Sequence, residues 1–298
     1  MARTRSGRTL SVLPLRGPLS LVPVAAVLGA LSLIGMGYTV AQSLGAFPLS
    51  DDTPSGFDAY ARLAPNDPIG AELWSSAAFT LRVSAASTLL ALMVAAAMLA
   101  WIDTRGPRGR RAGARLFHVN LALPHVVWAV ALLLVLGQSG ILARLGHTLG
   151  IVDVPADVPV VVEDRFGIGV MLHYASKEAP FLMLVGWAAL RIQPPQLGML
   201  ADTLGATGWR RVRLLVLPVV FRPMAAASML VYAFVVGAYE APALLGVSDP
   251  RMLSVLTLEL FRSPDVLTRP AAMAVGVATS AMVLGVLLAA GLVVRRWR

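Results

Sequence analysis

Residues 199–223 read MLADTLGATGWRRVRLLVLPVVFRP and separate two long apolar segments of the chain. The stretch opens with residues that favour a helix, is interrupted by Gly205 and Gly208, and then runs through a basic segment to Leu217–Pro218. Proline suits the first turn of a helix, where its missing N–H leaves no hydrogen bond unmade. The pattern predicts a short helix on the membrane surface, followed by the start of a membrane-crossing helix.

The loop that contains this stretch is long for a simple connection. It covers residues 191–218, whereas helix–helix connections usually have about 2–8 residues. Loops of that length tend to be functional or disordered, and this one is not low in hydrophobicity. We interpret it as a surface for a partner protein; the alternative is an ordinary arginine-rich membrane loop.

The composition of the chain is that of an integral membrane protein. Of its 298 residues, 57% are hydrophobic and only 14% are charged, and the mean hydropathy is +0.74. Soluble domains carry about 25% charged residues. The absence of cysteine excludes a disulfide framework, a thiolate metal site and a cysteine nucleophile.

Six segments have the length and apolarity of membrane-spanning helices, which need about 20 mainly apolar residues. They lie at about 19–46, 73–101, 116–137, 167–190, 219–246 and 271–294. The first is longer than a signal-peptide core and ends without a clear cleavage site, so we expect it to be retained. The predicted fold is all-α and polytopic, with a basic N-terminal segment 1–18, a six-helix domain 19–294 and a tail 295–298.

The formal charge of +9 is distributed unevenly across the predicted membrane. Seventeen arginines fall on the side that holds both termini, the loop after the second span and the loop 191–218; six fall on the other side. By the positive-inside rule, both termini are predicted to be cytoplasmic in a multi-pass protein of the cell inner or plasma membrane. The same rule explains the basic charge without a nucleic-acid partner.

The opposite side carries three short acidic loops, at about 47–72, 138–166 and 247–270. None is large enough to fold into a domain that captures a ligand. If the protein handles a dilute solute, another protein must collect it. The chain also has no G-x-x-x-x-G-K-[ST] phosphate loop, so the energy for transport must come from a separate polypeptide or from a gradient.

The quoted stretch resembles the cytoplasmic EAA loop of the permease subunits of binding-protein-dependent ABC importers with the type I fold. That pattern runs E-A-A, three residues, G, nine residues, I-x-L-P. When Leu217–Pro218 is aligned on its end, Gly205 falls on the glycine and Ala201 on the second alanine. Leu215 replaces the isoleucine, and Met199 replaces the glutamate.

Leu200 and residues 203–209 can be compared with the same family pattern. Leu200 stands in place of the first alanine, and TLGATGW at residues 203–209 resembles the TLGASPW common in these permeases, with Gly208 in place of proline. The motif covers about 20 residues, while the six-span plan matches across residues 19–294. Met199 in place of glutamate affects one polar contact to the partner and not the docking itself.

The resemblance implies a transport subunit that is not itself an enzyme and holds no cofactor or metal. Its partners would be two copies of an ATP-binding subunit, a second permease subunit (identical or homologous) and an extracytoplasmic solute-binding protein. The loop would form a coupling helix that docks on the ATP-binding subunit. The residues assigned to this docking are Met199, Ala201, Asp202, Gly205, Ala206, Gly208, Trp209, Leu217 and Pro218.

Four polar residues inside the predicted spans are candidates for a translocation path: His125, Glu178, Tyr239 and Glu240. Glu178 lies roughly 20 Å from Arg191 along its helix, in the outer half of the bilayer. The alternative is structural, with Glu240 paired to a basic residue of another helix, and Lys177 and Glu178 reaching the outer interface. For Lys177 we favour the role of an interface anchor.

The segments KEAPF and YEAPALLG also resemble stretches in permeases of the polyamine, thiamine, ferric-iron and phosphonate importers. Carboxylates on the path would suit a cationic solute, but they could equally brace a gate.

Two other functions compete with this interpretation. The tetrad GQSG at residues 137–140 is similar to that of rhomboid intramembrane proteases, with Ser139 as nucleophile and His173 as base. Ser139, however, comes at the outward end of the third span and is followed by a polar loop. A secondary transporter would need no coupling loop and usually shows inverted repeats, which we do not find in the two halves. A simple membrane anchor would leave residues 199–223 unexplained.

Overall fold

The computed structural model describes residues 21–47 and 56–296, without the side chains at 104–119, 195, 202 and 293–296. The predicted N-terminal segment 1–18, the last residues of the tail, the side chain of Asp202 and those of the arginines at 105–115 therefore lie outside the described part. The helices are α1 (Val22–Ser43), α2 (Asp58–Ala61), α3 (Pro68–Ala122), α4 (His125–Leu136), α5 (Ile141–Thr148), α6 (Ile168–Ile192), α7 (Pro195–Thr203), α8 (Gly208–Arg211), α9 (Leu217–Gly237), α10 (Glu240–Leu245), α11 (Leu253–Arg262) and α12 (Arg269–Arg296).

Five helical segments of the described residues are long and apolar enough to cross a membrane. They are Val22–Ser43, Pro68–Asp103, His125–Thr148, Gly208–Gly237 and Val266–Leu292. The remaining predicted span, 167–190, coincides with α6, which is 25 residues long and carries buried polar side chains. At about 37 Å it has the length to cross the hydrocarbon core. The predicted all-α, polytopic membrane fold is confirmed.

Two of the predicted spans are broken rather than continuous. The span predicted at 116–137 is interrupted at Leu123–Pro124, between α3 and α4. The span predicted at 219–246 is interrupted at Ala238–Tyr239, between α9 and α10. The two short helices that follow these breaks, α4 and α10, pack against each other.

The second span and the beginning of the third belong to one helical element, α3, where the sequence predicts two helices and a loop. Asp103, inside this element, and Asn120, near its end, lie at different levels of the bundle. Asp103 bonds to Arg211, at the end that carries the loop 191–218, whereas the carbonyl of Asn120 contacts Lys177, in the middle of α6. By Asn120 the chain has therefore returned into the bundle.

The centre of the bundle is formed where α3, α6 and α9 meet at Gly186. A Cβ atom at this position would lie 2.5 Å from Leu99 Cδ1 and 2.7 Å from Met224 Sδ. Inside a bilayer the hydrophobic effect does not drive helices together. Small residues let membrane helices approach closely, and the van der Waals contacts that result stabilise their association. The glycine thus sets the distance between the three central helices.

The first helix lies at the periphery of the bundle. α1 packs on α12, and most of its side chains are exposed in this single chain, among them Leu33 and Ile34. An apolar surface of this size is expected to contact lipid or another apolar protein surface. α1 thus packs mainly on α12, and near its end Ser43 Oγ shares a hydrogen bond of 2.8 Å with the hydroxyl of Tyr60 in α2.

Candidate functional site

The predicted coupling loop forms a helix with a glycine-dependent end. α7 ends in two backbone hydrogen bonds, from Leu204 N to Leu200 O (3.0 Å) and from Ala206 N to Ala201 O (2.9 Å). Gly205 stands between them with a φ of +65°. This arrangement is a Schellman motif, which favours glycine because a Cβ is strained at positive φ. The interruption that the sequence shows at Gly205 is thus the end of a helix in the structure.

The outer surface of this loop is apolar. Met199 is 60% exposed and Trp209 67%, and Leu200 and Leu204 are exposed beside them. Ala206, in contrast, is buried. Large side chains grouped in this way on one short segment are typical of a surface that binds another protein.

The loop is tied to the bundle by an ion pair. Arg211 Nε donates to Asp103 Oδ2 at 3.1 Å, and both side chains are largely buried. Gly198 of α7 faces the same guanidinium, since a Cβ there would lie 3.7 Å from Arg211 Nη2. Arg211 therefore connects the loop to the end of the Pro68–Asp103 span.

A cavity of about 360 Å³ lies beside this ion pair. Its lining includes Asp103, Trp187, Arg191, Gln193, Leu197 and Arg211. The cavity separates part of α7 from the Leu99–Asp103 part of α3 and from the end of α6. The contact between loop and bundle is thus concentrated at Arg211 and the segment that follows it.

That following segment is a π-helix. Val212–Val216 joins α8 to α9, and Val212 and Val216 are buried in the central core. Leu217 and Pro218 then begin α9, with the proline in the first turn as expected. Single π-helical turns inside helices are frequent at functional sites, because they carry an irregular hydrogen-bond pattern.

The second group of predicted residues gathers around His125, the first residue of α4. Its Nε2 lies 3.7 Å from Glu178 Oε1, and its Nδ1 lies 3.3 Å from His173 Nε2. The ring centroid of Phe234 is 5.5 Å away. His125 and Glu178, which are 53 positions apart in the sequence, are thus neighbours inside the bundle.

Glu240 belongs to the same region, and Tyr239 faces away from it. Glu240 begins α10, which packs on α4, the helix that begins at His125. Tyr239 lines a shallow groove beside α11 with Ser254 and Phe261. Three of the four predicted path residues are brought together, and the fourth lies at another surface.

The expectation that Lys177 anchors the chain at the outer interface is wrong. Lys177 is only 5% exposed, and its ammonium donates to the carbonyls of Asn120 (2.8 Å) and Leu123 (2.7 Å). These carbonyls belong to the break between α3 and α4. The signal in the sequence was Pro124, which has no N–H for the carbonyl four residues before it.

Sequence reasoning also missed the polar contacts that surround this break. Trp128 Nε1 donates to Ser176 Oγ at 2.8 Å, and Ser176 Oγ donates to the carbonyl of His173 at 2.9 Å. The sequence pointed to His173 only as the base of a protease. Its ring is fully buried and faces His125.

The arrangement does not support the protease alternative. His173 contacts His125 at the beginning of α4, whereas Ser139 follows the far end of that helix. The 12 residues of α4 span about 18 Å, so the proposed nucleophile and base are far apart. The carbonyl of Ser139 instead accepts a hydrogen bond from Arg144 Nε at the turn into α5.

Curated relatives of the chain are named as permeases. An inner membrane ABC transporter permease protein, YnjC of Escherichia coli (strain K12), is 31% identical over 179 residues, which are 60% of this chain and 32% of the relative. The thiamine transport system permease protein ThiP of Brucella abortus (strain 2308) is 28% identical over 265 residues, 88% of this chain and 43% of the relative. The chain thus spans less than half the length of these relatives.

Solved structures share the fold. A bacterial ABC transporter involved in the import of the acidic polysaccharide alginate contains a chain that matches with a TM-score of 0.69 and 18% identity. The match covers 93% of this chain and 98% of the other. A structure of the bacterial alginate ABC transporter in complex with its pentasaccharide-bound periplasmic protein gives a TM-score of 0.71, also at 18% identity.

The family itself is identified over most of the chain. Residues 87–298 match the family described as the binding-protein-dependent transport system inner membrane component. This match includes the loop 191–218, and it confirms the resemblance drawn from the sequence. The chain belongs to the family of membrane-spanning permease components of binding-protein-dependent ABC transport systems.

Proposed function

We propose that the chain is the permease subunit of an ABC importer, docked through its loop 191–218 on a separate ATP-binding subunit. Two copies of that subunit would drive a pair of permeases, formed with a second copy of this chain or with a homologue. An extracytoplasmic solute-binding protein would deliver the solute to the acidic outer face. The observation that carries the proposal is the apolar, exposed surface around Gly205 on a loop tied to the bundle.

The proposed docking surface lies on α7, on the turn after it and on α8. Met199, Leu200, Leu204 and Trp209 remain exposed, although burying each apolar side chain is favourable by about 1.5–3 kcal/mol. A groove on the ATP-binding subunit would cover them. Gly205 allows close approach at the centre of this surface, since a Cβ there meets no atom of this chain within 4 Å.

Movement of the docked loop would reach the bundle by two routes. One is covalent, through α8 and the π-helical segment into α9. The other is the ion pair from Arg211 to Asp103, which reaches the helix carrying the second span. ATP-driven movement of the partner would in this way shift α9 and α3 together, and these helices pack on α6, which holds Glu178.

The translocation path is proposed to pass the cluster of His125, Glu178 and Glu240. His125 keeps about a third of its side chain exposed, and its ring lies 3.7 Å from the carboxylate of Glu178. Glu240 begins the neighbouring helix α10, which packs on α4. Broken helices near the middle of a membrane protein commonly line substrate sites. Because carboxylates attract positive charge, the proposed solute class is a small organic cation, and thiamine, named for one relative, is such a cation.

The proposed orientation places both termini and the loop 191–218 in the cytoplasm. It rests on the asymmetric distribution of the arginines along the sequence. ATP is available only on that side, so a coupling role for the loop requires this orientation.

Gly205→Asp tests the docking. We expect the substitution to abolish solute-stimulated ATP hydrolysis by the reconstituted complex while membrane insertion remains normal, because a charged side chain would enter the apolar contact. The matched control is Gly56→Asp, since Gly56 also has a positive φ (+60°) and a Cβ there would likewise meet no atom within 4 Å. Normal stimulation with Gly205→Asp, or an equal loss with the control, would contradict the proposal.

A further inference from the structure

The chain has a single lysine, and it lies in the interior of the bundle. Lys177 is 5% exposed and sits near the middle of α6, while the other 24 basic residues are arginines. A buried ammonium is costly in a membrane unless its hydrogen bonds are satisfied. The partners of Lys177 therefore indicate why this residue is placed there.

Its two acceptors are carbonyls that the break between α3 and α4 leaves without helical partners. In a continuous helix the carbonyl of Asn120 would accept from residue 124, but Pro124 has no N–H. Leu123 has an extended ψ of +133°, so its carbonyl departs from the helix direction. From the backbone, Asn120 O accepts one hydrogen bond, from Leu123 N at 3.3 Å. The ammonium supplies shorter bonds to both oxygens, at 2.8 and 2.7 Å.

Residues near Lys177 on α6 contact α4, the helix that begins after the break. His173 and Glu178 contact the ring of His125, and Ser176 accepts from Trp128 of α4. Lys177 contributes the contacts to the end of α3. The segment from His173 to Glu178 thus fixes both helices that meet at Pro124.

We propose that Lys177 is a positioning residue of the translocation path: its ammonium caps the broken helix and thereby places His125 against Glu178. The inference rests on the proposed path, since His125 and Glu178 are assigned to it there. Lys177 acts through the backbone of Asn120 and Leu123 and not by contact with solute.

A double-mutant cycle tests this role. Lys177→Met keeps the length of the side chain and removes its donors, whereas Pro124→Ala returns an N–H to the acceptor at Asn120. In proteoliposomes with the full transporter complex, we expect Lys177→Met to reduce solute uptake at least tenfold and the added Pro124→Ala to restore it several-fold. Lys177→Arg, which keeps the positive charge and has N–H donors for both carbonyls, should retain more uptake than Lys177→Met.

The thermal midpoint of the purified full-length chain provides a readout that depends neither on transport nor on a partner subunit. The two substitutions should be non-additive, with Pro124→Ala raising the midpoint more in the Lys177→Met background than in the wild type. Additive effects, or Lys177→Met with wild-type uptake, would overturn the proposal. If no ATP-binding partner assembles, the proposed function fails, and the thermal cycle still decides whether Lys177 caps the break.

Amine acylation covers the case in which Lys177→Met does not fold. Because the chain has one lysine, a membrane-permeant amine-reactive ester followed by peptide mapping reports on Lys177 alone. We expect slow labelling in the wild-type complex and labelling at least several-fold faster in Pro124→Ala. Rapid labelling of the wild type, or equal rates in both, would overturn the cap.

Discussion

Gly205 and Gly186 are both required as glycines, but for different physical reasons. At Gly205 the backbone has a positive φ and the space around a Cβ is open, so the constraint inside the chain is conformational. At Gly186 the constraint is contact, because neighbouring side chains occupy the place of a Cβ. The same residue type thus serves a turn in one place and close packing in the other.

Gly186→Ala is predicted to destabilise the bundle by about 1–3 kcal/mol, the usual cost of adding volume to a packed core. The added methyl group would push Leu99 and Met224 away from their present positions. The matched control is Gly285→Ala on α12, where a Cβ meets no atom within 4 Å. Thermal unfolding of both purified variants checks this; equal midpoints would contradict the packing at Gly186.

At the scale of elements, the ion pair between Arg211 and Asp103 links the coupling loop to α3 and bypasses α9. A partly buried pair has a larger effect than a fully exposed one, because its charges are less screened by water and salt. We therefore expect the ion pair to transmit force and to stabilise the position of the loop.

Asp103→Asn is predicted to uncouple transport from ATP hydrolysis. The ATP-binding subunit should still co-purify, because the docking surface on α7 is untouched, but the number of ATP molecules hydrolysed per transported solute should rise several-fold. The reversed pair, Asp103→Arg with Arg211→Asp, should bring the ratio back toward the wild-type value. An unchanged ratio in Asp103→Asn would show that the ion pair transmits no force.

The sequence predicted the elements whose evidence is local. Apolar length identified the spans, and Gly205 with Leu217–Pro218 identified the turn and the start of α9. The breaks at Pro124 and Tyr239 were not predicted, because a proline alone does not decide whether a helix ends. Pro180 stays inside the continuous helix α6, whereas Pro124 separates α3 from α4.

Whether a proline such as Pro124 breaks a helix depends here on contacts with residues that are distant in the sequence. Lys177 supplies donors to the carbonyls near Pro124, and this contact joins residues more than 50 positions apart. Likewise Ser254 Oγ donates to the carbonyl of Ala238 at the second break, at 2.6 Å. Among the predicted site residues, His125 and Glu178 were found by their polarity inside apolar segments, and their contact became visible only in the fold.

At the scale of the whole molecule, the described chain has an apolar periphery, a central bundle and one exposed apolar loop at the end that carries the ion pair. Family membership establishes the membrane-spanning permease component of a transport system. The docking of the loop on an ATP-binding subunit is the central proposal, since the orientation, the energy source and the force transmission all depend on it.

Cross-linking from a single cysteine tests that proposal most directly, because the chain has no cysteine of its own. Leu204→Cys places a thiol beside Gly205 at a side chain that is 68% exposed. The control is Ile151→Cys, at 75% exposure in a loop that the proposed orientation places on the outer side. With a short thiol-reactive photo-cross-linker in intact membranes, we predict a product with the ATP-binding subunit from Leu204→Cys and none from Ile151→Cys. A product from Ile151→Cys alone, or no product from Leu204→Cys in an assembled, ATP-hydrolysing complex, would contradict the account.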